Sequence, residues 1–354
     1  MRILIATDAW RPQVNGVVHT LENLSTAARA LGVDTTFLTP EGFASAPMPT
    51  YPEIRLALAS WGAVARRIEA AGADHIHIAT EGPIGFAARR YCLRSGLAFT
   101  TSYHTRFPEY ISARAHIPES WSYAALRRFH APAAAVMAPT PSMASELTRR
   151  GFARVKVWSR GVDHALFQPG LPNALALPRP IFLSVGRVAV EKNLEAFLRL
   201  DLPGSKVVVG DGPARASLAA RYLDAHFLGP RSGAALAQTY ASADVFVFPS
   251  RTDTFGIVMI EALASGLPVA AYPVPGPLDV IGASGAGALD EDLRAACLTA
   301  LRLPRERARA HSLGFTWDQS ARQFVANIVA GRGPTHEPSA ANNVAPGARL
   351  AARP

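Results

Sequence analysis

The chain has 354 residues, 49% of them hydrophobic and 18% charged, which supplies cores for two domains of ordinary size or one large one and excludes disorder for most of the length. No apolar run approaches the roughly 20 residues of a bilayer span, and the N-terminal run 3–6 is too short for a signal peptide before it meets Asp8, so a soluble, cytoplasmic protein is expected. Net charge is +9, and of 36 basic residues only Lys156, Lys192 and Lys206 are lysines; the balance suits anionic partners without choosing among nucleotides, nucleic acid and an acidic membrane surface.

Residues 2–7 read as a strand, 17–31 as a helix closed by Gly32, and 33–39 as a second strand. Short strands follow at 75–79, 98–103, 136–139 and 155–158. Such buried runs between helical segments indicate βαβ units and a parallel sheet. Residues 168–180 are Pro-rich and lack either periodicity, and read as an inter-domain linker. The pattern then restarts, with strands at 181–185, 206–209, 226–228, 245–248 and 268–271 and helices at 191–200, 213–221, 232–241, 256–264 and 290–301. A last helix spans about 317–329, and the tail from Gly331 is expected to be disordered. The predicted fold is α/β, with two doubly wound, Rossmann-like domains (1–167 and 181–315) facing each other and a terminal segment at 316–330. Cys92 and Cys297 lie far apart and make neither a disulfide framework nor a zinc site.

In open α/β sheets ligands sit beyond the carboxyl ends of the strands. The first such turn, Thr7 to Val18, delivers Gly16 to a helix N-terminus, where a ligand can approach the backbone and free N–H groups favour an anion. A flexible loop with a turn glycine is the equally weighted alternative. Neither Asn15-Gly16 nor Gly210-Asp211-Gly212, with Arg215 at its third glycine position, has the dinucleotide spacing, which argues against a Rossmann dehydrogenase. His104 ends another strand among hydroxyls and suits a sugar hydroxyl or a phosphate, against the commoner alternative of a histidine satisfied by backbone. Arg187 leaves the first strand of the second half and Lys192 follows at a helix start, where a cation needs compensation by Glu191 or a bound anion; together they suit a diphosphate clamp. Asp253 and Glu261 stand eight residues apart on a strand-to-helix turn, about 12 Å of helical rise, with the N–H groups near Phe255 and Gly256 between them. Glu261 lies in an apolar stretch, where burial without a partner is costly. An N-cap and an ordinary helix acid are the structural alternatives.

These pieces, in this order, resemble the family 4 glycosyltransferases of the GT-B fold over nearly the whole chain, from Arg2 to about Val329. The resemblance rests on Gly186-Arg187 with Glu191-Lys192-Asn193, Gly210-Asp211-Gly212-Pro213, and the acid-x7-acid motif running into Glu261-Ala262-Leu263-Ala264-Ser265-Gly266-Leu267-Pro268-Val269. Asp8-Ala9-Trp10-Arg11-Pro12-Gln13-Val14-Asn15-Gly16-Val17, Ser102-Tyr103-His104-Thr105, Arg160-Gly161-Val162-Asp163 and Thr252-Asp253-Thr254-Phe255-Gly256 are similar to a bacterial subgroup of GDP-mannose-dependent α-mannosyltransferases and diacylglycerol glycosyltransferases. It implies a nucleotide-sugar donor in the C-terminal domain, with Arg187 and Lys192 on its diphosphate. Glu261 would reach the ribose and Asp253 the transferred sugar, beside Thr254, Phe255, Gly256 and Ile257. His104 would lie near the reacting sugar, the Gly16 loop near phosphates or acceptor, and Leu228 near the base. The N-terminal domain would take the acceptor, and the last helix would cross back to it. The family usually carries glutamate where this chain has Asp253, and a longer loop after Asp279.

The resemblance implies transfer of a hexosyl group with retention at the anomeric carbon. No cofactor and no metal are expected, because cationic side chains and a helix end can carry the charge; Asp290-Glu291-Asp292 opens a helix and reads as capping. The segment from Arg106 through Trp121, Tyr123, Arg127 and Arg128 mixes aromatics with arginine. It suits either peripheral contact with an anionic membrane or an ordinary helix with a basic outer face, and a lipid acceptor such as diacylglycerol leads. Mannosylation of a polysaccharide or soluble glycoside, and a nucleotide-sugar epimerase of the same fold, are the alternatives. Nucleic acid is not an expected partner, because no basic-aromatic module is present.

Overall fold

The computed structural model describes residues 1–11, 15–48, 51–115 and 118–331. In the N-terminal half, short runs form β1 (Arg2–Ala6), β2 (Asp34–Leu38), β3 (Ser45–Met48), β4 (Tyr51–Ala57), β5 (His75–Ile78), β6 (Phe99–Ser102), β7 (Ala135–Ala138) and β8 (Val155–Val157). The helices between them are α1 (Gly16–Ala30), α2 (Trp61–Ala71), α3 (Pro83–Arg94), α4 (Phe107–Ala115), α5 (Glu119–His130) and α6 (Pro141–Arg149). Six strands make a parallel sheet in the order β2-β1-β5-β6-β7-β8; β3 and β4 form a separate antiparallel hairpin. α1 starts where it does because the Asn15 side chain accepts from the Val17 and Val18 N–H groups, at 3.0 Å each.

The second half contains β9 (Ile181–Val185), β10 (Ser205–Val209), β11 (Ala225–Phe227), β12 (Val245–Phe248), β13 (Val269–Ala271) and β14 (Gly287–Leu289). Its helices are α7 (Leu194–Leu198), α8 (Arg215–Arg221), α9 (Gly233–Ser242), α10 (Ile257–Ala264), α11 (Pro275–Val280), α12 (Leu293–Ala300) and α13 (Arg305–Ser312), followed by α14 (Trp317–Gly331). The sheet is parallel in the order β11-β10-β9-β12-β13-β14, so the chain reverses direction of travel between β9 and β12. In the N-terminal sheet the reversal falls between β1 and β5. The carboxyl ends of strands flanking such a reversal leave a crevice for a ligand.

Each sheet is buried on both faces, which is why its strands read as apolar runs rather than alternating ones. In the N-terminal domain Leu4, Ile76, Cys92, Tyr123 and Phe129 pack on one side. Ile3, Ile5, Leu21, Trp158, Phe324 and Ile328 pack on the other, so α14 belongs spatially to the N-terminal sheet although it ends the described chain. The chain reaches it past Gly161, where a Cβ would come within 2.3 Å of the Trp317 backbone nitrogen. Residues 168–180 carry no regular element and lie against the second domain, with Leu175 buried and Arg179 ion-paired to Asp244.

Four sequence expectations change. The hairpin β3–β4 was not anticipated, because Pro47 and Pro52 break the strand pattern. Strand β14 and helices α11 and α13 are short elements that the pattern also passed over. The predicted helix over 191–200 is a 3-10 turn, Val190–Lys192, and then α7, separated by Asn193 at φ +51°. The helix predicted from 290 starts at Leu293, with Asp292 capping the Arg294 N–H at 2.9 Å. The tail from 332 and Pro12, Gln13 and Val14 of the first loop lie outside the described residues.

Candidate active site

The crevice is built by the loop after β9, the turn from β12 into α10, and, from the opposite domain, the start of α1 and the loop after β6. Lys192, in the 3-10 turn, donates from Nζ to Asp253 Oδ1, 61 residues along the chain. Glu191 is therefore not its main compensation. Burial opposes the ammonium's charge, but Asp253, together with Tyr110 and Glu191, outweighs burial and holds the Lys192 pKa above its ordinary value. Tyr110 comes from α4 of the other domain; burial pushes its phenol up to about 12, and its hydroxyl is bonded to the Thr252 side chain. Lys192, Asp253, Thr252 and Tyr110 thus meet between the domains. The Asp253 Oδ2 atom is buried and has no hydrogen-bond partner among the described residues.

Gly256 precedes α10 at φ +84°, and a Cβ there would lie 2.8 Å from Met259 Cε and 2.9 Å from Phe248 Cζ. Glycine is required for the chain to turn from Asp253 into the helix at this spacing. Phe255 is buried edge-on against Phe315, at 6.2 Å between ring centres. Thr254 Oγ1 donates to the His104 carbonyl oxygen at 2.7 Å, which ties the motif to the end of β6. Gly16 stands opposite Ile257: a Cβ on that glycine would be 3.8 Å from Ile257 Cδ1.

Glu261 is buried one and a half turns into α10, 6% exposed. It is not without a partner: Tyr240 on α9 donates its hydroxyl to Glu261 Oε2 at 2.9 Å. His19, on α1 of the other domain, has Nε2 3.9 Å from Oε1. Burial raises the Glu261 carboxyl to about 7 even though the Tyr240 hydrogen bond works the other way. His104 is held far below the usual imidazole range by burial first, then by Arg160 and His77. Its Nδ1 lies 3.2 Å from Arg160 Nη2, while its buried Nε2 has no partner among the described residues.

Arg187 follows Gly186 at the end of β9 and is half-buried. Leu228 sits just past β11, its N–H donating to the Val208 carbonyl oxygen at 3.0 Å. Its neighbour Gly229 accepts from Gly210 at 2.9 Å, which joins the Gly210-Asp211-Gly212 loop to the Leu228 loop. The aromatic and basic segment of α4 and α5 faces two ways. Arg106 is buried between Glu109 and Glu146, 2.7 Å from each, and Tyr123 is buried; Trp121, Arg127 and Arg128 are exposed. Sequence reasoning did not single out Tyr240, His19 or Tyr110, and it quoted Arg160 without giving it a place in the site.

The family model described as Glycosyltransferase Family 4 matches residues 14–166, and Glycosyl transferases group 1 matches residues 179–303. A GDP-mannose-dependent α-mannosyltransferase of Mycobacterium tuberculosis is 32% identical over 311 residues, which are 79% of this chain and 81% of that protein. The chain belongs to the family 4 glycosyltransferases. A sulfoquinovosyl transferase of Arabidopsis thaliana is 30% identical over 76% of this chain and 58% of that protein. Among solved structures, a sucrose-phosphate synthase from Thermosynechococcus elongatus superposes with a TM-score of 0.69 at 20% identity, covering 92% of this chain and 97% of that one. HepE of Anabaena, in complex with UDP-glucose, gives 0.68 at 15% identity, covering 93% and 100%. The fold is GT-B. In this family 4 glycosyltransferase the crevice between the sheets brings together His104, Lys192, Thr254 and Asp253, with Gly16 facing Ile257 and Glu261 facing His19.

Proposed function

We propose that this glycosyltransferase moves a hexosyl group from a nucleotide sugar to a hydroxyl acceptor, with retention at the anomeric carbon. GDP-mannose is the leading donor and a UDP-hexose the next. The observation that carries the reading is the pair of buried atoms, Asp253 Oδ2 and His104 Nε2, which come from opposite domains and have no hydrogen-bond partner among the described residues. A buried polar atom left unpaired costs about 1–3 kcal/mol, so the crevice favours a ligand with several hydroxyls. The GDP-mannose donor is supported by three curated relatives at 32%, 29% and 30% identity that carry that donor in their names.

In this reading Arg187 and Lys192 hold the diphosphate, and the N-terminus of α10 at Gly256 and Ile257 adds its dipole. When the leaving phosphates arrive, Lys192 exchanges part of its contact with Asp253 for a phosphate oxygen, and Asp253 turns to the sugar. Asp253 and His104 orient the sugar, with Thr254 and Phe255 beside it. Glu261 reaches the ribose, Leu228 borders the base, and the Gly16 loop lies near the phosphates or the acceptor. These cationic groups supply the charge stabilisation, so the reading assigns no metal. Departure of the nucleoside diphosphate and attack from the same face follow, with the leaving phosphate taking the acceptor proton.

A membrane lipid such as diacylglycerol is the proposed acceptor, with peripheral contact at the inner leaflet supported by exposed Trp121, Arg127 and Arg128 on α5. A soluble glycoside or polysaccharide acceptor is the second reading, supported by Arg106 and Tyr123 facing inward instead of outward. Incubation with GDP-mannose or UDP-hexoses, each with diacylglycerol vesicles or a soluble glycoside, separates the two by product. A rearranged donor with no transfer to any acceptor contradicts the transferase reading and indicates an epimerase.

A further inference from the structure

The Arg160-Gly161-Val162-Asp163 segment follows β8, and its arginine has an unusual setting. Arg160 is 4% exposed, and no carboxylate pairs with it among the described residues. Its Nη1 donates to the carbonyl oxygens of Trp158 and Ser159, at 2.5 and 3.2 Å, and its guanidinium lies 4.2 Å over the Trp158 ring. Its Nη2 reaches His104 Nδ1 at 3.2 Å. Burial lowers the guanidinium to about 9, yet it stays charged at neutral pH.

A guanidinium has donors and no acceptor. The Arg160–His104 bond therefore exists only if His104 Nδ1 is the bare, accepting nitrogen. The single proton of the neutral ring then resides on Nε2, the atom that has no partner among the described residues. The groups facing the ring agree with a neutral imidazole. Arg160 approaches from the loop after β8 and His77 from β5, and both disfavour a second proton; Trp158 packs edge-on at 5.7 Å; Thr254 bonds the backbone, not the ring. No carboxylate is ion-paired to the His104 ring among the described residues.

We propose that Arg160 is a positioning residue that locks His104 in the tautomer protonated on Nε2, so that His104 serves transfer as a neutral hydrogen-bond donor to a hydroxyl of the sugar and not as a base. This inference rests on His104 facing the transferred sugar. A hydroxyl accepting from Nε2–H keeps its own proton free to donate to another acceptor. Arg160 touches no substrate in this account; it acts through the histidine.

The test is nitrogen NMR of protein labelled at histidine, with the His104 signals assigned by their loss in His104→Asn. Wild-type protein is expected to show His104 with a bare Nδ1 and a protonated Nε2, unchanged from about pH 8 to about pH 5.5, across the ordinary imidazole range. An Nδ1–H tautomer, or a ring that titrates in that range, overturns the proposal without any further variant. In R160M the ring is expected to exchange between tautomers, whereas R160K, whose ammonium also only donates, keeps the wild-type form; an unaltered tautomer in R160M overturns the lock. In transfer assays kcat of R160M falls about tenfold or more with KM little changed, equivalent to one lost hydrogen bond in the transition state, and R160K recovers most of it. His104→Gln, whose amide reaches the Nε2 position, is expected to exceed His104→Asn. If R160M frees the tautomer while His104→Asn transfers at the wild-type rate, the placement of His104 at the sugar falls and the lock stands.

Discussion

Lys192 and Asp253 show how much of the site one pair of residues carries. Their side chains are 26% and 15% exposed, so removing either leaves a partly buried charge without its partner. Lys192→Ala and Asp253→Ala are each expected to destabilise by about 1–3 kcal/mol, and the double variant by less than the sum, as a double-mutant cycle in urea will read. Both lower transfer by orders of magnitude while the fold survives; near-normal turnover in Lys192→Ala rejects the diphosphate assignment. Glu261 makes a pH prediction. Its carboxyl titrates at about 7 when folded, against an ordinary 4.5, so the folded chain binds more protons than the unfolded one between those values. Stability from this group is therefore full below about pH 4.5 and is lost as pH rises through 7, by about 3 kcal/mol. Glu261→Gln removes that loss: the variant is more stable than wild type at about pH 8, and the gap closes toward about pH 5, in thermal melts at the two values. A constant gap contradicts the buried-carboxyl account. The acids and cations at the strand ends were legible because charge in an apolar setting stands out. Tyr240, Tyr110 and Arg160 were not, because nothing local in their segments reports that a helix or loop far away turns toward them.

At the scale of elements, the strands were legible where burial on both faces gives an unbroken apolar run, as in β9 and β12. The hairpin β3–β4 was hidden by its prolines, α13 by its charged sequence, and the break at Asn193 by that residue's tolerance of the left-handed region. The position of α10 depends on Gly256. Alanine there meets both a positive φ and the Phe248 ring from β12, which has less room to yield than Met259. Gly256→Ala is expected to cost about 1–3 kcal/mol in denaturant unfolding and to reduce transfer at least about tenfold by turning the helix end away from the crevice. Wild-type activity in a destabilised Gly256→Ala protein would separate the helix end from the chemistry.

Across the whole molecule, two parallel sheets place their direction reversals toward each other, and the chain crosses twice between them, at 159–180 and again at Gly161's contact with 316–317. Contacts span the gap at Thr254 with the His104 carbonyl, at Ser142 with Asp279 at 2.8 Å, and at His19 with Glu261. The duplicated α/β pattern was readable from the sequence; the return of α14 to the first sheet rested on resemblance, since its apolar face says only that it is covered. Net charge of +9 suits a donor that carries two phosphates. The claim on which the rest depends is that such a donor is gripped between the domains by Lys192 and its neighbours. Thermal unfolding of wild type and Lys192→Ala with GDP-mannose, UDP-hexoses or no nucleotide tests it most directly. One donor is expected to stabilise wild type by about 3 kcal/mol at a hundredfold excess over its Kd and to leave Lys192→Ala nearly unshifted. Equal stabilisation of both proteins, or of neither by any nucleotide sugar, would contradict it.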